Sequence, residues 1–241
     1  MMDDKNGFLI YFDLLGYKNI IAQKDEKTIN SLKDFIDRQF KVNNVRNIVG
    51  LIKGDNFDIN NLIFRCYSDN FLIFYKSECD VESLISTVCL ASFFSNCSIR
   101  NGFMIRGSIV YGTLSYNDNL VFGKSIIEAY ELESAHNEPN FVLSKELKKM
   151  YEDNKLYEND ALSPFLLYDK QDYSIGKECF DGIKKMVERL NLQSFVDERT
   201  ISKYRWLIGE YNRYYNNYCK LIFEEQPGHY ELFYDDTSMN I

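Results

Sequence analysis

Asp13 is a carboxylate in a place that demands a reason. It interrupts the apolar run GFLIYFDLL at residues 7 to 15, a segment suited to a strand buried on both faces. A charge near the end of such a strand costs on the order of several kcal/mol unless it is paired or bound to a metal. A second carboxylate, Asp69, falls between LIFRCY (62 to 67) and NFLIFYK (70 to 76), which read as two strands joined by a tight Ser68-Asp69 turn. Each has an ordinary explanation as well, Asp69 as a turn residue and Asp13 as a salt-bridged strand end. Arg106, on the strand segment MIRGSIVYG (104 to 112), is a cation that could offset phosphate charge near them or pair with Glu131 or Glu128 as a structural ion pair. Zinc is disfavoured, because the six cysteines form no CxxC pair and only two histidines are present.

The elements that must position these residues alternate. Gly16 predicts a turn from the first strand into a helical stretch. Residues 80 to 97 carry Val81, Leu84, Ile85, Val88 and Phe93 near helical spacing. After the polar loop at 115 to 119, LVFGKSIIEAYELESA predicts a short strand, a turn at Gly123 and a helix, and NFVLSKELKKMYE predicts a strand followed by a helix capped by Ser144. This alternation implies an α+β fold of the ferredoxin-like kind, with helices on one face of a mostly antiparallel sheet. Beyond about residue 160 the texture becomes amphipathic helix, with Tyr204, Leu207, Ile208, Tyr211, Tyr215 and Tyr218 near one face, a stripe that reads as core or dimer surface. The expected division is residues 1 to 155 as the main domain and 156 to 241 as a mainly helical extension packed on it.

Composition narrows the function classes. With 241 residues and 45% apolar content the chain can bury a large core, and its net charge of -8 argues against nucleic acid as a partner. Its N-terminal segment is acidic where a signal peptide would be basic, and no stretch approaches the roughly 20 apolar residues of a membrane span. The expectation is a cytoplasmic protein with reduced thiols.

Three blocks over roughly residues 7 to 150 resemble the catalytic domain of class III adenylate/guanylate cyclases. YFDLLGY (11 to 17) looks like the first metal motif of that family, an Asp followed three residues later by Gly. RCYSD (65 to 69) resembles the hairpin in which a base-reading residue lies four before the second metal Asp. The third block runs from IRGSIVYG through FGKSIIEAYELES to PNFVLS, and is similar to the strand, dimer-face helix and strand of the family. The resemblance implies a nucleoside triphosphate as substrate, two Mg²⁺ or Mn²⁺ ions held by Asp13 and Asp69, and a head-to-tail homodimer whose sites use both chains. It further implies that the backbone amides of Leu14, Leu15, Gly16 and Tyr17 cradle phosphates and that Arg65 contacts the base.

The departures from that pattern are on the dimer-face helix. The family places an Asn and, four residues on, an Arg where this chain has Ile127 and Glu131. Ile127 cannot hydrogen-bond a ribose, and Glu131 puts negative charge where a cation would stabilise the reacting phosphate. Leu120 stands at the second base-reading position, and Lys124 at the helix start is a candidate substitute cation. In layout the chain is similar to the Pycsar-type cyclases of bacterial antiphage systems, which implies UTP or CTP as substrate. The expected function is thus a divergent nucleotide cyclase, with a catalytically silent nucleotide-binding or dimerising homologue as the alternative.

Overall fold

In the computed structural model, residues 3 to 23, 25 to 53, 59 to 117, 120 to 154, 156, 162 to 165, 173 to 193, 195 to 215, 220 to 226 and 228 to 235 are described. The centre of the molecule is β1 (Asp3–Leu14), which pairs antiparallel with β3 (Asn70–Lys76) on one side and β4 (Ile105–Tyr116) on the other. Strand β2 (Leu62–Tyr67) lies outside β3, while the free edge of β4 receives β5 (Val121–Phe122) antiparallel and β6 (Phe141–Leu143) parallel. The hairpin expected at 62 to 76 is present, with Ser68 in the left-handed region at φ 60° in its turn.

The two-residue period of β1 sends its side chains to opposite faces. Phe8, Ile10, Phe12 and Leu14 pack into one core with Leu32 and Phe35 of α2 (Glu26–Gln39), Val45 and Val49 of α3 (Val42–Lys53), Phe94 of α4 (Val81–Arg100) and Leu147 of α6 (Lys145–Asp153). Helix α4 starts on the Asp80 cap and α6 on Ser144, each side chain accepting from a backbone amide of the first turn. Leu9, Tyr11 and Asp13 face the other way. That second face is not bare, as a sheet with helices on one side only would leave it: α5 (Lys124–Ala135) crosses it, with Ala129 packed against Leu9, Val110 and Leu114. Ser108 donates to the Ala129 carbonyl at 2.6 Å and Ser125 to that of Thr113 at 2.7 Å, which ties α5 to β4.

The segment after β6 and α6 builds a second core. Phe165, Ile183, Met186, Leu207, Tyr211 and Tyr215 pack together from α7 (Tyr173–Leu190) and α8 (Glu198–Tyr215), and they reach the main body through Ile99 and Met104. Close approach of α7 to the end of α4 depends on Gly182, where a Cβ would lie 1.8 Å from the Ile99 carbonyl oxygen. The aromatic stripe of α8 is core, with Tyr204, Leu207, Ile208, Tyr211 and Tyr215 all buried; Tyr218 lies outside the described residues. Beside the helices of the mainly helical extension stands a hairpin that the sequence reading did not specify, β7 (Lys220–Gln226) with β8 (His229–Asp235), whose Leu221 joins this core. No helix among the described residues is long and apolar enough to cross a membrane.

Candidate functional site

The end of β1 brings the two carboxylates together through the backbone. Asp13 stands opposite Asn70 in the β1–β3 register, and the Leu14 amide donates to the Asp69 carbonyl at 3.0 Å. Asn70 orients the neighbouring carboxylate: its amide donates to Asp69 Oδ1 at 3.1 Å, while its own Oδ1 accepts from the Tyr11 hydroxyl at 2.6 Å. Gly16 turns the chain after the strand at φ 79°, a conformation that side chains with a Cβ disfavour, and α1 (Tyr17–Gln23) follows.

Across the β1–β4 register Asp13 faces Arg106. The guanidinium is nonetheless held chiefly by Glu133, with Nε to Oε1 at 2.5 Å, and by the His136 carbonyl, with Nη1 to O at 2.8 Å. Asp13 Oδ2 is left 3.5 Å from Arg106 Nη2, and Asp13 Oδ1 is buried with no hydrogen-bond partner among the described residues. Burial first, and then the charge of Glu133, push the Asp13 carboxyl up to about 7; Arg106 offsets part of this and Asp69 adds to it. The same surroundings push Tyr11 up to about 12, with burial the largest cause and Glu133 next.

An orphaned, buried carboxylate oxygen beside a second carboxylate fits a divalent cation. The donors are hard oxygens, as Mg²⁺ and Mn²⁺ require. Among the described residues no cluster of three His, Cys, Asp or Glu forms, so two aspartates would be the side-chain ligands and water or phosphate oxygens would complete the shell, the usual arrangement for Mg²⁺.

Several expectations are corrected by the contacts. The amides of Leu14 and Leu15 cannot cradle phosphate, because they already donate within the fold, to Asp69 O at 3.0 Å and Met104 O at 2.9 Å; Gly16 and Tyr17 remain as candidates. The ion-pair partner of Arg106 is Glu133, not Glu131 or Glu128. Arg65 lies on the same sheet face but two strands from β1, about 10 Å away by strand spacing. It donates to the carbonyls of Phe64 at 2.9 Å and Asn117 at 3.1 Å, so part of its hydrogen-bonding capacity is committed to the fold. Ile127 and Leu120 are exposed, as are Glu131 and Lys124, and the outer side of α5 therefore turns away from Asp13 within one chain.

Two residues of this site escaped the sequence reading. Glu133 was findable: Ser125, Ala129 and Glu133 recur every fourth position on the buried side of α5, so a carboxylate had to meet the sheet there. Lys203 of α8 lies within electrostatic reach of both Asp13 and Arg106, and no local feature of its sequence announces it.

No protein-family model matches the chain, and no curated protein matches it by sequence. Among solved structures it is similar to an adenylate/guanylate cyclase/hydrolase from Silicibacter pomeroyi, at 12% identity and TM-score 0.47, over 64% of this chain and 84% of that one. It is also similar to the catalytic core of a rhodopsin-guanylyl cyclase with converted specificity in complex with ATPαS, at 13% identity and TM-score 0.44, over 63% and 83%. A third is a class III adenylyl cyclase-like ATP-binding protein from Pseudomonas aeruginosa, at 14% identity and TM-score 0.39, over 86% and 45%. All three are cyclases or cyclase-like by description. With TM-scores under 0.5, these likenesses carry no weight for what the chain does, and its own residues must.

Proposed function

We propose that this chain is a divergent, divalent-metal-dependent nucleotide cyclase that converts a nucleoside triphosphate into a cyclic mononucleotide and pyrophosphate. Asp13 and Asp69 are the ligands of Mg²⁺ or Mn²⁺, two ions in the full site. The observation that carries this reading is the buried Asp13 Oδ1, without a partner among the described residues, beside a second carboxylate that Asn70 holds in place. Bound there, divalent cations supply positive charge to the oxygens of a phosphoryl displacement. The chain itself orients the Asp69 carboxylate through Tyr11 and Asn70, and the amides of Gly16 and Tyr17 at the turn into α1 are the phosphate donors in this reading. The second half of the site is a second copy of this chain, met through the exposed outer side of α5, where Ile127 and Tyr130 stand 60% and 55% exposed.

A second reading, a homologue that binds nucleotide and metal without turnover, is favoured by the outward Glu131 and by the commitment of Arg106 to Glu133. Incubation of the protein with ATP, GTP, CTP and UTP in turn, with Mn²⁺, followed by mass spectrometry, separates the two. A cyclic mononucleotide that disappears in Asp69→Asn supports the cyclase, and UTP or CTP as its source supports the pyrimidine preference. Mn²⁺-dependent nucleotide binding without product selects the silent homologue, and neither binding nor product refutes both.

A further inference from the structure

Cations also approach the site from α8 (Glu198–Tyr215), beyond the three motif blocks of the sequence. Helix α8 is moored against the site by a chain of contacts. Arg106, facing Asp13, donates to the His136 carbonyl at 2.8 Å. The next residue, Asn137, accepts from Arg199 Nε at 2.8 Å and donates to the Ser202 hydroxyl at 3.1 Å. One turn beyond Arg199, and so on the same side of α8, stands Lys203, half-buried, within the electrostatic influence of Asp13 and Arg106, and without a hydrogen bond or ion pair among the described residues. A lysine placed half out of water, near two other cations in Arg106 and Arg199, is only partly compensated by Asp13 and Asp197, neither of which forms an ion pair with it among the described residues. Desolvation first, and then those two cations, lower its pKa, and the opposing pull of Asp13 and Asp197 does not make up the difference. Asp13 is the complementary case, a carboxylate oxygen without a cation. A metal-bound phosphate group between them would satisfy both, the metal against Asp13 and an unbridged phosphate oxygen against the lysine.

We propose that Lys203 is a phosphate-binding residue of this site, its ammonium contacting the oxygens of the triphosphate that the metal at Asp13 and Asp69 holds. The proposal rests on the metal-phosphate reading of those two aspartates. It gives α7 and α8 a function: their core, packed against Leu15, and the Asn137 contacts fix where Lys203 stands. It also makes the substitutions at Ile127 and Glu131 tolerable, because part of the positive charge arrives from within the same chain rather than from α5.

The test uses the full chain, inorganic tripolyphosphate as a probe free of base and sugar, and calorimetry in saturating Mn²⁺ at low salt, with wild type, Asp69→Asn, Lys203→Gln and Lys203→Arg. Wild type is expected to bind in a Mn²⁺-dependent way and Asp69→Asn to lose that binding. Lys203→Gln is expected to weaken it about tenfold or more, the value of one charge-assisted contact, and Lys203→Arg to stay within about threefold. Mn²⁺ affinity without tripolyphosphate, read by electron paramagnetic resonance, should not weaken in Lys203→Gln, whereas a merely structural role would weaken both bindings and restore neither in Lys203→Arg. Wild-type tripolyphosphate affinity in Lys203→Gln, with Asp69→Asn silent, overturns the role of Lys203 and spares the metal site. Absence of Mn²⁺-dependent binding by wild type overturns the site reading and this proposal with it. Should Lys203→Gln not fold, Lys203→Met on the same readouts decides, since the charge is the variable.

Discussion

Replacing Asp13 by Asn should stabilise the metal-free protein, which is the reverse of what loss of a buried, charge-paired residue does. The Asp13 carboxyl is pushed from an ordinary 3.8 up to about 7. In the folded state it therefore holds its proton where the unfolded chain has released it, and the stability this protonation confers is complete below pH 3.8 and lost as pH rises through about 7. At about 1.4 kcal/mol per pH unit, the gap corresponds to roughly 4 kcal/mol forfeited by pH 8. Asparagine keeps the shape and never ionises. Its amide must find an acceptor and its contact with Arg106 is weaker than a carboxylate's, so the net gain at pH 8 should be about 2 kcal/mol. The assay is urea denaturation with EDTA present, comparing wild type with Asp13→Asn at pH 4.5 and pH 8. The variant should be about 1 kcal/mol less stable than wild type at pH 4.5 and about 2 kcal/mol more stable at pH 8, a crossover between the two pH values; added Mn²⁺ should then stabilise wild type alone. Parallel pH profiles, or a variant less stable than wild type at pH 8, would refute the view that Asp13 is held in strain for a cation.

Glu133 sets the sign of that effect. Glu133→Gln should itself cost about 2 kcal/mol, less than the 3 to 5 usual for breaking a buried pair because Asp13 takes over Arg106, and in that background Asp13→Asn should turn destabilising. A double-mutant cycle by urea denaturation reads the reversal. Gly16→Ala should lose about 1 kcal/mol from its positive φ alone, since nothing lies within 4 Å of the added Cβ, and its melting temperature should fall with the fold intact by circular dichroism. Tyr211→Phe should cost about 1 kcal/mol for the hydrogen bond to the Gly176 carbonyl at 3.0 Å, and Tyr211→Ala about 3 to 5 kcal/mol for the cavity, with denaturation midpoints as the measure.

What the sequence made legible is what is local. Apolar runs with turn residues between them placed β2, β3, α5 and α6 closely, while β1 begins four residues earlier than its apolar run, at Asp3, and β4 and α4 run on to Tyr116 and Arg100, three or four residues past the expected ends. Asp13 stood out because a buried charge conflicts with its surroundings at the level of a single strand. The helices α2 and α3 did not stand out as separate elements, and the hairpin β7–β8 did not stand out at all. Its inward side is short and much of its outer side is exposed, so its alternation is weak.

The partners of a charge are the other thing a linear reading misses, and the site turns on them. Arg106 has acidic residues at 128, 131 and 133 within one helix, and their spacing alone does not choose; the roll of α5 about Ser125 and Ala129 does, by pointing Glu133 at the sheet and Glu131 at solvent. Once Glu133 takes the guanidinium, Asp13 is left short of positive charge, and the same geometry that satisfies Arg106 leaves Asp13 Oδ1 without a hydrogen-bond partner among the described residues. A cation without an ion pair among the described residues, Lys203, then comes from α8, some 190 residues along the chain from Asp13, by the packing of a second core rather than by any motif. A site assembled this way keeps its metal-type carboxylates recognisable while its phosphate-side charge moves to an element with no counterpart in the motif, so the absence of the expected arginine on α5 does not by itself mean that the site has lost its anion.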